Sequence, residues 1–290
     1  MFSGSYVALV TPFKNNRVDG GKLKELVEFH VKKGTSGIVP CGTTGESATL
    51  SHEEHRLVIE TVVKAANGRL KIIAGTGSNN TTEAIELTRF AKEVEADGCL
   101  VITPYYNKPT PNGLYLHFKE VAEAVNIPMV MYNVPGRTGV NMLPSTVAKL
   151  AKIENIVGLK EASGNITQVS EIVMHCGEDF DVLSGDDAMT FPIMAVGGKG
   201  VISVAANIVP EEMAALVETF EKGDIKKARK MHLEMLPLFN AMFYETNPIP
   251  VKTAMHLMGM ISDEIRLPLC KMSEENLAKL KATLKEYKLI

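Results

Sequence analysis

Short apolar runs alternate with longer amphipathic segments from residue 6 to residue 222 of this chain. The apolar runs are rich in valine and isoleucine and lack a strict polar–apolar alternation, which is typical of strands buried on both faces. Glycine, proline or asparagine bounds most of them. The runs predicted as strands are 6–11, 37–41, 71–75, 98–103, 128–133, 155–160, 181–185 and 200–204.

The segments between these runs have helical periodicity. Local signals mark several helix starts: Ser51 and Glu54 form the S-x-x-E pattern of a capping box, and Pro144 and Pro210 suit a first helical turn. The predicted helices span 21–33, 51–66, 80–95, 113–125, 144–152, 165–176, 186–196 and 210–222. Eight even β-α units favour a closed (β/α)8 TIM barrel, and a doubly wound open sheet is the alternative.

The sequence after residue 223 carries no strand signal. It has the pattern of helices broken by Pro248, Pro250 and Pro268, and it is rich in methionine, leucine and phenylalanine. We therefore expect a catalytic barrel over 1–223 and a C-terminal helical domain over 224–290. The apolar faces of that domain are expected to pack on the barrel or to form an oligomer interface.

Composition and charge exclude several classes of protein. The 290 residues carry a formal net charge of −3, and no run of five basic residues occurs, so no nucleic-acid partner is expected. No apolar stretch reaches the roughly 18–20 residues of a membrane helix, and the N-terminal apolar run is too short for a signal peptide. The predicted location is the cytoplasm, with no membrane contact.

No metal site or disulfide framework is predicted. The cysteines Cys41, Cys99, Cys176 and Cys270 are far apart and form no C-x-x-C pair, so they are expected to be buried reduced thiols. The segment HEEH (52–55) places its histidines three residues apart, unlike the H-E-x-x-H motif of zinc proteases. The segment GTGSNN likewise lacks the third glycine of a dinucleotide-binding loop.

Polar residues follow the predicted strands at the ends where barrel enzymes place their active sites. Hydroxyl groups, tyrosines, one arginine and one lysine are therefore expected to converge on one rim. The segments are CGTTGES (41–47), GTGSNN (75–80), TPYYNKP (103–109), YNVPGRTG (132–139), Lys160 and SGDD (184–187).

Lys160 ends the apolar run NIVGLK. Residues i and i+2 of a strand share a face, so Ile156, Gly158 and Lys160 are expected to point into the barrel, with Gly158 leaving room for the lysine stem. Burial lowers the pKa of a lysine, and a neutral amine attacks a ketone to form an imine. The alternative is a strand-terminal lysine that extends its charge to solvent.

Other groups on the rim suit the same chemistry. Thr43 and Thr44 lie in a glycine-flanked turn whose N–H groups can hold a carboxylate. Tyr132 ends the neighbouring strand, so its phenol is expected to reach the nitrogen of Lys160 and to shuttle protons. The planar guanidinium of Arg137 suits a substrate carboxylate. An ordinary core tyrosine and a structural ion pair are the respective alternatives for Tyr132 and Arg137.

Eight ordered motifs, spread over essentially the whole chain, carry a family resemblance. They are GTTGESATL (42–50), AGTGSNNTTEA (74–84), TPYYNKP (103–109), YNVPGRTG (132–139), GLKEASGN (158–165), LSGDDA (183–188), GVISVAANI (200–208) and NPIPVK (247–252). With these motifs the chain resembles the 4-hydroxy-tetrahydrodipicolinate synthase (dihydrodipicolinate synthase) family, within the pyruvate-dependent class I aldolases.

The resemblance implies a TIM barrel with a C-terminal helical domain, assembled as a homotetramer that is a dimer of dimers. It implies condensation of pyruvate with L-aspartate 4-semialdehyde, the first committed step of diaminopimelate and lysine biosynthesis, without a cofactor. By this resemblance Lys160 forms the imine with pyruvate. Tyr132, Thr43 and Tyr106 form a proton relay, and Tyr106 crosses a dimer interface into the neighbouring site.

The resemblance also implies the residues that bind the substrates. Thr44 and its turn hold the pyruvate carboxylate, while Arg137 binds the carboxylate of the semialdehyde. Gly185 and Ile202 match backbone positions that line the pyruvate pocket.

A second site, for inhibition by L-lysine at the dimer interface, follows from the same resemblance. Its carboxylate, amide, imidazole and phenol groups suit the ammonium and carboxylate groups of a free amino acid. The matching positions are Ser47, Ala48, His52, His55, Asn79, Glu83 and Tyr105.

Three other functions are alternatives. N-acetylneuraminate lyase shares the lysine and the tyrosine but generally lacks the arginine that matches Arg137 and the paired threonines. A non-catalytic metabolite sensor on the same fold is a second alternative, which the presence of Lys160 and Tyr132 disfavours. A phosphate-binding barrel isomerase is disfavoured because GGKG (197–200) precedes the eighth predicted strand.

Overall fold

The computed structural model describes residues 1–290 and confirms the predicted barrel. Eight parallel strands form a closed ring, and a two-stranded antiparallel hairpin (β2 and β3), which was not predicted, follows the first of them. The strands are β1 (Gly4–Ala8), β2 (Phe13–Lys14), β3 (Arg17–Val18), β4 (Gly37–Val39), β5 (Lys71–Gly75), β6 (Gly98–Ile102), β7 (Met129–Asn133), β8 (Ile156–Glu161), β9 (Asp181–Ser184) and β10 (Gly200–Ser203).

The helices also follow the predicted alternation, with a short unpredicted helix after β7. The segment predicted as a helix over 186–196 is a 3-10 turn at Asp187–Met189 followed by a short α-helix. None of the helices combines the length and the apolarity that crossing a membrane requires. The helices are α1 (Gly20–Lys32), α2 (His52–Ala66), α3 (Thr81–Glu93), α4 (Pro111–Ala124), α5 (Pro135–Thr138), α6 (Pro144–Leu150), α7 (Ile166–Cys176), α8 (Thr190–Ala195), α9 (Pro210–Glu221), α10 (Ile225–Ala241), α11 (Ile249–Leu257) and α12 (Glu274–Glu286).

Local signals place most of the helix starts correctly. The Ser51 hydroxyl accepts from the N–H of Glu54, whose side chain accepts from the N–H of Ser51, so the predicted capping box is confirmed. The prediction that Pro250 breaks the tail is wrong. It lies in the first turn of α11, where a proline costs no helical hydrogen bond because that N–H has no partner in the helix.

Two apolar layers hold the molecule together. One fills the barrel interior with inward-facing strand residues such as Tyr6, Leu183 and Ile202. The other lies between the strands and the outer helices, and its largest cluster runs on into the tail through Leu238 and Leu280. The C-terminal helices therefore pack on the barrel. The domain division at residues 223 and 224 stays a prediction.

All four cysteines are free thiols, but they are not all buried. Cys41 and Cys99 are buried, and burial raises the pKa of each thiol. Cys176 is half-buried and Cys270 is exposed, so the prediction of burial is wrong for these two. Cys270 is exposed because it lies in the irregular segment between α11 and α12, outside both apolar layers.

Candidate active site

Lys160 and Tyr132 lie side by side at the carboxyl ends of β8 and β7. They are register partners in the parallel ladder, as the neighbouring apolar runs predict. The Nζ atom of Lys160 lies over the Tyr132 ring, 4.3 Å from its centroid. Each side chain is 6% exposed, so the amine and the phenol meet in a space that is largely closed to water.

The Lys160 amine is buried without a counterion. No carboxylate oxygen lies within 4.0 Å of Nζ. Burial lowers the pKa of Lys160 to about 8, and the positive charge of Arg137 lowers it further, against an opposing effect of Asp187. About a tenth of this lysine is therefore a neutral amine at pH 7, far more than for an ordinary lysine, and the neutral amine is the form that attacks a carbonyl carbon.

The predicted role of Gly158 is wrong. A Cβ atom on this residue would lie 2.4 Å from the carbonyl oxygen of Asp181, so the glycine is needed for close contact between β8 and β9. Ile156 belongs to the outer apolar layer and does not point into the barrel with Lys160. The cause is a register shift between Met129 and Val130, which interrupts the period of two in the β7–β8 ladder.

Gly185 provides the space for the lysine stem. A Cβ atom there would lie 3.1 Å from Cε of Lys160 and 2.8 Å from Cβ of Ala162. Both Gly185 and Ile202 thus lie at the barrel interior. The fully buried Ile202 belongs to the inner apolar layer, and Gly185 lies next to it. Of these two predicted pocket residues, Gly185 therefore lies against Lys160 and Ile202 lies on the inner wall of the barrel.

The Tyr132 phenol is protonated over the whole physiological range. Burial raises its pKa to about 12, and the positive charge of Arg137 and the Thr43 hydroxyl oppose that rise. A phenol beside a hydroxyl can donate a proton on one side while it accepts one on the other. The position of the Tyr132 phenol beside Thr43 and Lys160 suits proton transfer.

The turn Gly42–Gly45 follows β4 and carries both predicted threonines. The N–H groups of Gly45, Glu46 and Ser47 donate hydrogen bonds to backbone carbonyls of this turn. The N–H groups of Thr43 and Thr44 donate to no backbone carbonyl. Two adjacent N–H groups free of backbone partners are available to donate to an anion.

Arg137 lies in α5, directly after β7. Its Nη2 donates to the backbone carbonyl of Asn247 at 3.1 Å, and it forms no ion pair within 4.0 Å. The predicted alternative, a structural ion pair, is therefore wrong. The Asn247 side chain donates to the Thr44 hydroxyl at 3.0 Å, so this residue touches both the arginine and the turn.

A cavity of about 420 Å³ opens on this rim. Thr43, Tyr132 and Arg137 line one part of it, and most residues of the predicted lysine site line another part. Those are Ser47, Ala48, His52, His55, Glu83 and Tyr105. Within one chain a single cavity therefore reaches parts of both predicted sites, although Lys160, Thr44, Gly185 and Ile202 are not among its lining residues.

Polar contacts fix two groups of the predicted lysine site. The Nε2 atom of His55 binds the carbonyl of Gly75 at 2.7 Å, which assigns the ring proton to that nitrogen, and burial lowers the pKa of the ring. Glu83 accepts from the Ser78 hydroxyl and lies 3.3 Å from Nε2 of His52. A partly exposed carboxylate at a cavity wall suits an ammonium ligand.

The adjacent tyrosines Tyr105 and Tyr106 have different environments. Asn79 donates its side-chain amide to the carbonyl of Tyr105 at 3.1 Å and so holds the loop, although Asn79 does not line the cavity. Tyr106 is 91% exposed and adopts φ of 73°. In this chain Tyr106 is not brought together with Tyr132 and Thr43. A non-glycine residue with positive φ is uncommon and indicates a constrained conformation.

Sequence reasoning missed several residues around the site. Asp187 is fully buried, accepts from the N–H groups of Val204 and Ala205 and has a pKa raised to about 6 by burial. Glu46 and Lys252 form a buried ion pair behind the turn. Asp187 and Lys252 belong to the sequence motifs SGDD and NPIPVK. The motifs alone do not show which residues these side chains contact. No group of three or more metal-ligating side chains comes together.

The chain matches the model of the dihydrodipicolinate synthetase family over residues 1–287. It is 61% identical to a protein of Geobacter sulfurreducens named 4-hydroxy-tetrahydrodipicolinate synthase, over the full length of both. It superposes on the crystal structure of dihydrodipicolinate synthase from Aquifex aeolicus with a TM-score of 0.98 at 56% identity, covering 99% of each chain.

Two further similar structures carry ligands. The enzyme of Acinetobacter baumannii complexed with pyruvate is 46% identical, with a TM-score of 0.98 over the full length of both chains. The enzyme of Cyanidioschyzon merolae with lysine bound is 41% identical, with a TM-score of 0.97 over 100% of this chain and 99% of that one. The match to the family model and the full-length agreement in sequence and fold lead to one conclusion: this chain belongs to the dihydrodipicolinate synthase family.

Proposed function

We propose that this chain condenses pyruvate with L-aspartate 4-semialdehyde through an imine on Lys160, giving 4-hydroxy-tetrahydrodipicolinate. The observation that carries the proposal is a buried lysine amine without a counterion, placed over the ring of a protonated tyrosine. Relatives at 60% and 61% identity over their full length carry the name of this enzyme. The reaction is the first committed step of diaminopimelate and lysine biosynthesis.

The first step forms the imine. The neutral Lys160 amine attacks the ketone carbon of pyruvate, and the ketone oxygen leaves as water after taking two protons. Tyr132 donates a proton to the departing oxygen, and Thr43 resupplies the phenol. The N–H groups of Thr43 and Thr44 hold the pyruvate carboxylate in their turn, which fixes the ketone carbon next to Nζ.

The imine then acts as an electron sink. Loss of a proton from the pyruvate methyl group gives an enamine, and the methyl carbon attacks the aldehyde carbon to form the new C–C bond. Arg137 binds the carboxylate of the semialdehyde through its planar fork. Attack of the semialdehyde's amino group on the imine carbon closes the ring and releases Lys160 as an amine.

Reduction of the imine tests this proposal. Borohydride added with saturating pyruvate should attach the pyruvate carbons irreversibly to the peptide that contains Lys160, as measured by mass spectrometry. An unlabelled Lys160 peptide would reject the imine. A coupled assay that compares aspartate semialdehyde with N-acetylneuraminate separates the synthase from the lyase alternative.

We propose that L-lysine, the end product of the pathway, inhibits the enzyme from the part of the cavity lined by His52, His55 and Glu83. Glu83 binds the ammonium group and Tyr105 binds the carboxylate, while Asn79 holds the Tyr105 loop and Ser47 and Ala48 complete the site. The lysine-bound structure of the Cyanidioschyzon merolae enzyme supports this proposal. Titration of lysine into the coupled assay is the test, and a flat response beyond millimolar lysine would reject it.

We also propose that the active unit is a homotetramer in which Tyr106 completes the relay of a neighbouring subunit. Its 91% exposure and constrained backbone support a role outside its own chain. Light scattering gives the assembly mass, and a fully active monomer would contradict the proposal. Cytoplasmic location stays a prediction.

A further inference from the structure

The motif NPIPVK (247–252) takes no part in the proposed chemistry, yet it lies against the turn Gly42–Gly45 that carries Thr43 and Thr44. It leads into α11 of the C-terminal region. Two of its side chains reach Gly42–Gly45 and its flank: Asn247 donates to the Thr44 hydroxyl at 3.0 Å, and Lys252 binds Oε1 of Glu46 at 2.5 Å. The partners are more than 200 residues apart in the sequence.

The Glu46–Lys252 ion pair is almost completely buried. Lys252 is 1% exposed and Glu46 is 3% exposed. Burial lowers the pKa of Lys252, while the Glu46 charge raises it. The second carboxylate oxygen of Glu46 accepts from the N–H of Arg266 at 3.1 Å, and Lys252 Nζ lies 4.3 Å from the centroid of the Phe13 ring. A buried pair adds little stability over an apolar pair of the same volume, so its benefit here is geometric.

The turn needs such a constraint because strained residues bracket it. Cys41 has φ of 56° and Glu46 has φ of 52°, and neither is a glycine. A side-chain-bearing residue keeps the left-handed conformation only where its surroundings fix it. For Glu46 the fixing contacts are those of its own carboxylate.

We infer that Glu46 and Lys252 are positioning residues that hold the Gly42–Gly45 turn in the shape that binds the pyruvate carboxylate. Neither touches the reacting atoms. The inference rests on the proposed pyruvate chemistry and gives the C-terminal region a direct part in it. Loss of the pair should weaken pyruvate binding and leave the semialdehyde KM and the pH midpoint of imine formation unchanged.

The test uses the full-length enzyme with three variants: Glu46→Gln, Lys252→Met and the double variant. The pyruvate KM should rise about tenfold to a hundredfold in each single variant, because small displacements of a binding group have effects of that size. The double variant removes both charges and should regain stability to urea, while its pyruvate KM stays raised. Glu275→Gln, which breaks the exposed pair with Lys279, is the matched control and should change nothing.

Recovery of both stability and pyruvate KM in the double variant would overturn the inference, because the pair would then be merely structural. A pyruvate KM within twofold of wild type in folded Glu46→Gln would also overturn it. If these variants do not fold, Glu46→Asp keeps the charge and shortens the side chain by one methylene. Its pyruvate KM should still rise, and an unchanged value would overturn the inference. Failure of the proposed function itself appears separately, as absent imine in the wild-type enzyme.

Discussion

Two lysines are buried in this molecule, and they differ in what faces the nitrogen. Lys252 forms an ion pair with Glu46, whereas no carboxylate lies within 4.0 Å of Lys160, which faces the ring of Tyr132. Burial lowers the pKa of both; at Lys252 the directly bonded Glu46 carboxylate opposes this change, and at Lys160 only the charge of Asp187, beyond 4.0 Å, does. Burial alone therefore does not make a lysine a nucleophile. Burial without a paired carboxylate is what favours the neutral amine that a nucleophile needs.

Replacement of Lys160 by alanine should have the largest effect on turnover. Without the amine no imine forms, so kcat should fall on the order of 10⁴-fold or more, as for loss of other covalent nucleophiles. The unfolding midpoint in urea should not fall, because no ion pair is lost. The coupled assay measures the change, with Lys149→Ala on the surface as a control. Turnover within a hundredfold of wild type would contradict the assignment.

Replacement of Lys252 by methionine should lower the stability of the fold, unlike replacement of Lys160, in addition to raising the pyruvate KM. It leaves the Glu46 carboxylate buried without a partner, which is expected to cost about 3–5 kcal/mol of unfolding free energy. Urea unfolding at pH 7 measures the loss. A change below about 1 kcal/mol, the usual worth of an exposed pair, would show that Lys252 is not a buried structural cation.

Replacement of Tyr132 by phenylalanine tests whether the phenol beside Lys160 moves protons during the reaction. The ring remains but the phenolic proton is lost, so kcat should fall about 10²–10³-fold while borohydride still traps some imine. Single-turnover kinetics separate slow imine formation from weak substrate binding. A variant with turnover near wild type would mean that another group moves the proton.

Sequence periodicity predicted the surroundings of Lys160 much better than those of Lys252. Lys160 and Tyr132 end neighbouring apolar runs, and the barrel's parallel register brings such ends together. Lys252 follows two prolines in a helical tail, and its partner lies 206 residues away in a turn. Nothing local in the sequence encodes that pairing. The spacing of two predicted a place for Ile156 that the register shift in β8 removes, and nothing in the sequence showed that Gly185 rather than Gly158 makes room for the lysine stem.

The smallest expected effect concerns His55, a buried side chain of the proposed lysine site. The His55 ring donates from Nε2 to the Gly75 carbonyl, and burial lowers its pKa. In His55→Ala the lysine concentration for half-inhibition should rise about tenfold, within the range of ordinary coupling energies. The ratio of inhibited to uninhibited rates measures this effect, and Lys64→Ala on the exposed face of α2 is the control. Unchanged inhibition would place the lysine elsewhere.

The pH dependence of imine formation on Lys160 tests the central claim most directly. The second-order rate constant for trapping with pyruvate and saturating cyanoborohydride reports the free enzyme, and it should rise with pH because only the neutral amine attacks. The pKa of about 8 predicts a midpoint near pH 8, with all added mass on the peptide containing Lys160. A midpoint near about 10.4, the ordinary lysine value, or label on another lysine would contradict the account.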